Sequence, residues 1–154
     1  MKIMDFLCQQ AISANLKASD KEGVLRELTG LLAASQSISD PDEVLKALVD
    51  REALGSTGIG HGVAIPHGKS GSVKDLVAAF GISRRGIRFE ALDGEPVYIF
   101  FLLVAPEDTS GPHLKALARI SRLLRDKYFR DSLISARDEQ EILRVIQLED
   151  SKKV

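Results

Sequence analysis

Two nearly continuous apolar runs in the middle of the chain constrain its fold more than any other feature. They span Leu76 to Ile82 and Val97 to Val104. Strands without polar alternation are typical of a sheet that is covered on both faces. Stretches with helical periodicity lie before and after these runs, so they can supply the cover. The pattern therefore predicts a single α/β domain in which flanking helices sandwich a mixed β-sheet.

The flanking helices carry recognisable start signals. A first helix is expected from Asp20, and a second is expected after Asp40, which precedes a proline and has Glu43 at the capping-box position. Pro112 opens a third helix, and a last one runs from about Asp138 to Gln147. Spacing predicts these inward-facing residues: Val24, Leu28, Leu31 and Leu32 in the first helix, Val44, Leu45, Leu48 and Val49 in the second, and Leu114, Leu117, Ala118, Ser121 and Leu124 in the third.

Two weaker patterns concern the sheet. Weak alternation from Ile12 to Ala18 predicts an edge strand. The segment IRFEALDGE, between the two apolar runs, alternates and contains Asp93-Gly94, a turn signal, so we expect it to add a hairpin.

Composition limits the class of partner and the compartment. The chain has 154 residues, a size typical of one domain over 1–154, with 21 basic and 22 acidic residues and a net charge of −1. This balance argues against nucleic acid or an anionic membrane as the main partner. The longest apolar run is too short to cross a bilayer, and the N-terminal residues do not resemble an export signal. The single cysteine, Cys8, cannot form an internal disulfide, so we expect the cytoplasm as the compartment.

The segment GSTGIGHGVAIPHGK, from Gly55 to Lys69, is where chemistry is expected. Its glycines permit positive φ and close approach of backbone amides to an anion. It does not match the dinucleotide fingerprint, because its glycines are spaced G-x-G-x-G and precede an apolar run. It does not match the phosphate loop of nucleotide-binding proteins either, because five residues separate Gly62 from Gly68 where four are required.

His67 is the candidate reactive residue within that segment. Neutral imidazole is a nucleophile near pH 7 and can carry a phosphoryl group. Such a transfer requires positioning and stabilisation of negative charge, for which Arg51, Ser56 and Thr57 supply donors. His113 lies at the start of a helix, where an anion is favoured, and Gly68 leaves the neighbourhood of His67 uncovered.

Other interpretations of these residues remain open at this point. A lone histidine near a turn is often structural, Arg51 can complement the C-terminal dipole of its helix, and His113 can be a solvated first-turn residue. His61, between two glycines, is expected to be exposed. The three histidines have no spacing typical of zinc, so neither a metal nor another cofactor is expected.

The stretch STGIGHGVAIPHGK resembles the active-site segment of enzyme IIA domains of the fructose–mannitol type, from the bacterial phosphoenolpyruvate-dependent phosphotransferase system. It is most similar to the stand-alone nitrogen-regulatory branch. The resemblance continues through LLAASQSISDPDEVLKALVDREALGSTG and PHLKALARISRLL. It implies that His67 is phosphorylated by a histidine phosphocarrier protein, that His113 supports the phosphorylated state, that Arg51 lies near the phosphoryl group and that Thr57 shapes the pocket.

Two uses of the same chemistry follow from the resemblance. In the first, the phosphorylation state of His67 controls binding to regulatory target proteins, in nitrogen or general metabolism. In the second, His67 passes the group to an enzyme IIB for sugar uptake. A binding module without chemistry would lack His67 or His113, and a nucleotide-dependent kinase would need a phosphate loop that is not found.

Overall fold

The computed structural model describes residues 1–152. Within them the chain forms five α-helices and six β-strands, after a short 3₁₀ turn at Ile3–Asp5. The helices are α1 Lys21–Ala34, α2 Pro41–Ala53, α3 Gly111–Leu124, α4 Lys127–Ser135 and α5 Glu139–Lys152. The strands are β1 Leu7–Ser13, β2 Gly58–Gly60, β3 Val63–Ala64, β4 His67–Lys69, β5 Val77–Ile87 and β6 Val97–Ala105.

All six strands belong to one mixed sheet. Its order is β1-β5-β6-β3-β2, and β4 also pairs with β6. The long strands β5 and β6 are antiparallel, with Phe80 opposite Phe101, whereas β1 runs parallel to β5 and both β3 and β4 run parallel to β6. The predicted mixed sheet is confirmed.

Helices cover both faces of this sheet, as the two apolar runs predict. Successive side chains of β6 alternate between the faces. Phe101 and Leu103 pack in a cluster with residues of α3, α4 and α5, whereas Phe100 and Leu102 pack in a second cluster with residues of α1 and α2. The molecule therefore has an α1–α2 layer on one face and an α3–α5 layer on the other.

The strand predictions differ from the structure in their bounds and at one connection. The edge strand exists as β1, but it begins at Leu7, five residues before the predicted start, and pairs with β5. The predicted extra hairpin is wrong. Residues 88–96 simply connect β5 to β6, and Asp93-Gly94 forms a turn in this connection, where Gly94 has a φ of +72° and its N–H bonds to Ala91.

The first two helices confirm the predicted Asp40 cap and the apolar faces, although Leu31, Leu45 and Val49 are only partly buried. Asp20, which was not predicted as a cap, also accepts a hydrogen bond from the first turn of its helix. Glu43 does not complete a capping box. Its Oε1 accepts instead from the Ser70 hydroxyl at 2.8 Å and from the Gly71 N–H at 3.0 Å, because the chain after β4 passes over the start of α2.

The third helix has the predicted start but a different buried face. Its buried residues are His113, Ala116, Arg119, Ile120, Leu123 and Leu124, whereas Leu114 is 64% exposed and Ala118 is also exposed. Apolar periodicity misplaced the face because polar side chains, His113 and Arg119, occupy part of it. Helix α4 was not predicted, since only Phe129 and Leu133 of its nine residues are buried.

Candidate functional site

The glycine-rich segment forms a tight turn that leads into the strand carrying His67. Strands β2 and β3 are antiparallel, and the turn between them has φ values of +96° at Gly60, +57° at His61 and +76° at Gly62. Gly58 packs so closely on the 88–96 connection that a Cβ would lie 2.7 Å from the Ala91 Cβ. Turn geometry and close packing thus explain these glycines, and His61 is exposed as expected.

His67 is half-buried at the start of β4, where it pairs with Leu103 of β6. Its Nδ1 lies 2.8 Å from the Ile65 carbonyl oxygen. Because a carbonyl only accepts, Nδ1 carries the proton, and the lone pair of the neutral ring is on Nε2. Burial, together with the charge of Arg51, holds the pKa of His67 below 6.5, although the bond to Ile65 and the charge of Glu52 act in the opposite direction. The ring is therefore neutral at pH 7.

His113 comes from the first turn of α3 and meets His67. The ring centroids are 5.5 Å apart with an interplanar angle of 62°. His113 is only 6% exposed, which rules out the solvated first-turn residue considered from sequence. Burial, followed by the charges of His67 and Lys69, lowers its pKa to about 4. Within residues 1–152 its Nδ1 has no hydrogen-bond partner, so one ring nitrogen is available for a further hydrogen bond.

Arg51 lies in the last turn of α2, close enough to His67 for its charge to lower the histidine pKa. One of its N–H groups, at Nη1, donates to the Gly55 carbonyl at 2.9 Å. A guanidinium has five N–H groups in a planar fork, so this contact leaves others for an anion. Arg51 therefore both bonds to the chain just beyond α2 and acts on His67 through its charge, and its role towards a phosphoryl group stays a prediction.

The three predicted pocket residues all contact neighbouring parts of the chain. The Ser56 hydroxyl donates to the Phe89 carbonyl at 3.1 Å and accepts from the Gly58 N–H at 3.0 Å. Thr57 is buried, and both its N–H and its hydroxyl donate to the Glu52 carboxylate. At Gly68 a Cβ would lie 3.5 to 3.6 Å from Ala47 of α2, which is an ordinary van der Waals distance.

Sequence reasoning missed two charged residues of the site. Glu52 is 8% exposed, binds Thr57 and forms an ion pair with Lys21 of α1, with 2.8 Å between Nζ and Oε2. Lys69, two residues beyond His67 on β4, contributes to the low pKa of His113. Because an acidic residue at a helix end is usually solvated, the burial of Glu52 could not be predicted from neighbouring residues. The position of Lys69 on the strand of His67 was a signal that could have been used.

Known proteins resemble this chain over nearly its whole length. Residues 5–148 match the family model described as phosphoenolpyruvate-dependent sugar phosphotransferase system, EIIA 2. A nitrogen regulatory protein of Bradyrhizobium diazoefficiens is 43% identical over 148 residues, 96% of each chain. The fructose-specific EIIABC component of Bacillus subtilis is 37% identical over 150 residues, 97% of this chain, which spans only 24% of that protein.

A solved structure shows that the similarity also holds for the fold. The crystal structure of nitrogen regulatory protein IIA-Ntr from Neisseria meningitidis superimposes with a TM-score of 0.86 at 34% identity. The match covers 94% of this chain and 98% of the other. None of the helices within residues 1–152 is long and apolar enough to span a membrane.

Proposed function

The chain belongs to the EIIA 2 family of the phosphoenolpyruvate-dependent sugar phosphotransferase system, and we propose that it relays a phosphoryl group through a phosphohistidine at His67. The observation that carries this proposal is the hydrogen bond between His67 Nδ1 and the Ile65 carbonyl. It fixes the tautomer whose nucleophilic lone pair is on Nε2. The lowered pKa keeps that lone pair available at pH 7.

The donor is a histidine phosphocarrier protein. The Nε2 lone pair of His67 forms a bond to phosphorus while the phosphorus–nitrogen bond of the donor breaks, and the bonding electrons stay on the donor ring. His67 keeps its Nδ1 proton throughout. The positive charge that develops on its ring is stabilised by the Ile65 carbonyl oxygen, which accepts that proton's hydrogen bond.

Two neighbours stabilise the negative charge of the transferred group. His113 is neutral, its ring is in edge contact with that of His67, and a neutral imidazole donates one N–H. Arg51 supplies positive charge and further N–H donors.

The output proposed first is regulation in nitrogen or general metabolism. A phosphoryl group adds nearly two negative charges at the surface around His67, and such a change can reject an acidic partner or recruit a basic one. The nitrogen regulatory protein of Bradyrhizobium diazoefficiens supports this output, because it matches the chain at 43% identity over 96% of both lengths. The acceptors are then target proteins that distinguish the two states.

Sugar uptake is a second candidate output. The fructose-specific EIIABC component of Bacillus subtilis matches 97% of this chain at 37% identity, as one part of a longer protein. In this case His67 passes the phosphoryl group to an enzyme IIB. Acid-labile label that moves from the chain to a purified enzyme IIB would favour transport over regulation.

Transfer of labelled phosphate from phosphoenolpyruvate, through purified enzyme I and phosphocarrier protein, tests the relay. The wild type should gain acid-labile, alkali-stable label, and His67→Ala should gain none. His61→Asn is the matched control, because His61 is an exposed histidine at positive φ, a conformation that Asn tolerates. Phosphorus–nitrogen NMR correlation should place the group on Nε2. Undiminished labelling of His67→Ala would overturn the proposal.

A further inference from the structure

Glu52 is joined to His67 by a continuous path of hydrogen bonds. Its Oε1 accepts from the Thr57 N–H at 3.0 Å and from the Thr57 hydroxyl. The Thr57 carbonyl accepts from the Ile65 N–H at 3.0 Å. The Ile65 carbonyl in turn faces His67 Nδ1 at 2.8 Å. The path from the buried Glu52 carboxylate to the His67 imidazole thus runs through two residues, Thr57 and Ile65.

We propose that Glu52 is a positioning residue for phosphorylation of His67, acting through Thr57 and Ile65 to hold the ring in the tautomer that leaves Nε2 unprotonated. The proposal rests on the proposed phosphoryl relay for its functional consequence. Its structural part, control of the tautomer, concerns the unphosphorylated protein and can be measured without any transfer reaction.

The tautomer depends on where the Ile65 carbonyl lies. In the other neutral tautomer the Nδ1 lone pair would face that carbonyl oxygen, and two acceptors repel each other. The carbonyl therefore selects the reactive tautomer only while it stays beside Nδ1. The bond from the Ile65 N–H to the Thr57 carbonyl extends the short β2–β3 pairing, while β6 holds the other edge of β3 and β4, so Ile65 is fixed from both sides.

Glu52 is itself held on its other side. Lys21 of α1 pairs with Oε2 at 2.8 Å and lies 4.8 Å from the centroid of the Phe89 ring. The Glu52 side chain is 5% exposed and that of Lys21 is 24% exposed, so the pair is largely withdrawn from water. A buried carboxylate needs such a counter-charge, and here the pairing also fixes which oxygen faces Thr57.

A purely structural role for Glu52 makes a different prediction. It would lower the stability of a variant while the His67 ring stayed in the same tautomer. Nitrogen-15 NMR of the imidazole separates the two roles, because protonated and unprotonated ring nitrogens have distinct chemical shifts. Melting temperature reports on the structural contribution separately.

The test compares Glu52→Gln with wild type at a pH at which His67 is neutral. We expect NMR signals of the Nε2-protonated tautomer to appear. The initial rate of phosphorylation should fall by about tenfold, which corresponds to a small rise in the activation barrier. Thr57→Val, which keeps the N–H bond and loses the hydroxyl bond, should shift both readouts less. Glu22→Gln is the matched control, because Glu22 is exposed beside Lys21 and takes no part in the path.

The outcomes separate the two proposals. A folded Glu52→Gln protein with the wild-type tautomer and rate, or one that is only less stable, overturns the positioning role. Effects of Glu52→Gln and Thr57→Val that add independently overturn the path, because linked residues should couple in a double-mutant cycle. A changed tautomer in Glu52→Gln, with no label on His67 even in the wild type, supports the positioning role and overturns the phosphoryl relay.

Discussion

In each helical layer a buried carboxylate pairs with a cation, and the two carboxylates make different use of similar surroundings. Glu52 belongs to the α1–α2 layer and Asp150 to the α3–α5 layer, and they are 8% and 1% exposed. Each pairs with a cation from another helix, Lys21 at 2.8 Å and Arg119 at 2.7 Å. The remaining bonds of Glu52 lead towards His67, whereas those of Asp150 lead away from the site.

Asp150 accepts from the N–H groups of Ile3 and Met4, at 3.1 and 3.0 Å. Burial by itself would raise its pKa, but the bonds from Met4, Arg119 and Ile3 hold the pKa below its usual value. Arg119 lies on α3, the helix that presents His113. A buried ion pair can thus serve either the geometry of a reactive group or the attachment of a chain segment, and the other hydrogen bonds of its carboxylate distinguish the two.

The largest effect is expected from Asp150→Ala. Two N–H groups near the start of the chain lose their acceptor and an ion pair is removed, so the free energy of unfolding should fall by about 3 kcal/mol. Urea denaturation followed by circular dichroism measures this. Lys127→Ala, which removes the exposed pair of Lys127 with Asp131 on the same layer, is the control and should leave the midpoint unchanged. A changed His67 tautomer in Asp150→Ala would show that Asp150 also acts on the site.

His113→Ala should affect the phosphorylation of His67 more than the stability of the α3–α5 layer. Removing one donor to a developing negative charge costs roughly 100-fold in rate, so phosphorylation of His67 should slow by about that factor. Because His113 is buried, we also expect a loss of about 1 kcal/mol in unfolding free energy. Single-turnover labelling and urea denaturation give the two values. If the rate of His67 phosphorylation is unchanged while the free energy of unfolding falls, His113, like Asp150, contributes only to the stability of the fold.

The last prediction concerns the pH dependence of stability. The folded pKa of His113, about 4, lies below its ordinary value of 6.5, and that of His67 is also lowered. The unfolded chain therefore binds protons first on acidification, so the histidines' contribution is complete above pH 6.5 and is lost as pH falls towards 4. For His113 the loss is on the order of 2 kcal/mol. Urea denaturation at pH 7.5 and 4.5 should show a smaller pH effect in His113→Gln, and an equal effect would contradict the assignment.

Local chemistry made several features of the fold predictable. The Asp40 cap and following proline located the start of α2, and apolar runs located β5 and β6. These signals are contained in neighbouring residues, so no tertiary contact is needed to recognise them. The sequence Pro66-His67-Gly68 likewise indicated His67, which lies beside His113 in the structure, and its reactivity stays a prediction.

Long-range contacts explain what the sequence did not predict. The inward face of α3 was misplaced because Arg119 is buried through Asp150, 31 residues away. Glu52 was overlooked because its burial depends on Lys21, which lies on another helix. Polar residues that are satisfied by distant partners break the periodicity on which sequence prediction relies. The buried charged pairs that distinguish the α1–α2 layer from the α3–α5 layer are formed by such residues.

The N–H groups of Ile3 and Met4 donate hydrogen bonds to Asp150, so they hold two segments together that are far apart in the chain. Positions 3 and 150 are adjacent in space although 147 residues separate them in the chain. A short peptide could join this region into a circle, and a new opening could be placed in an exposed connection such as residues 92–95. The order in which the elements follow one another is thus separable from the arrangement that brings the two histidines together.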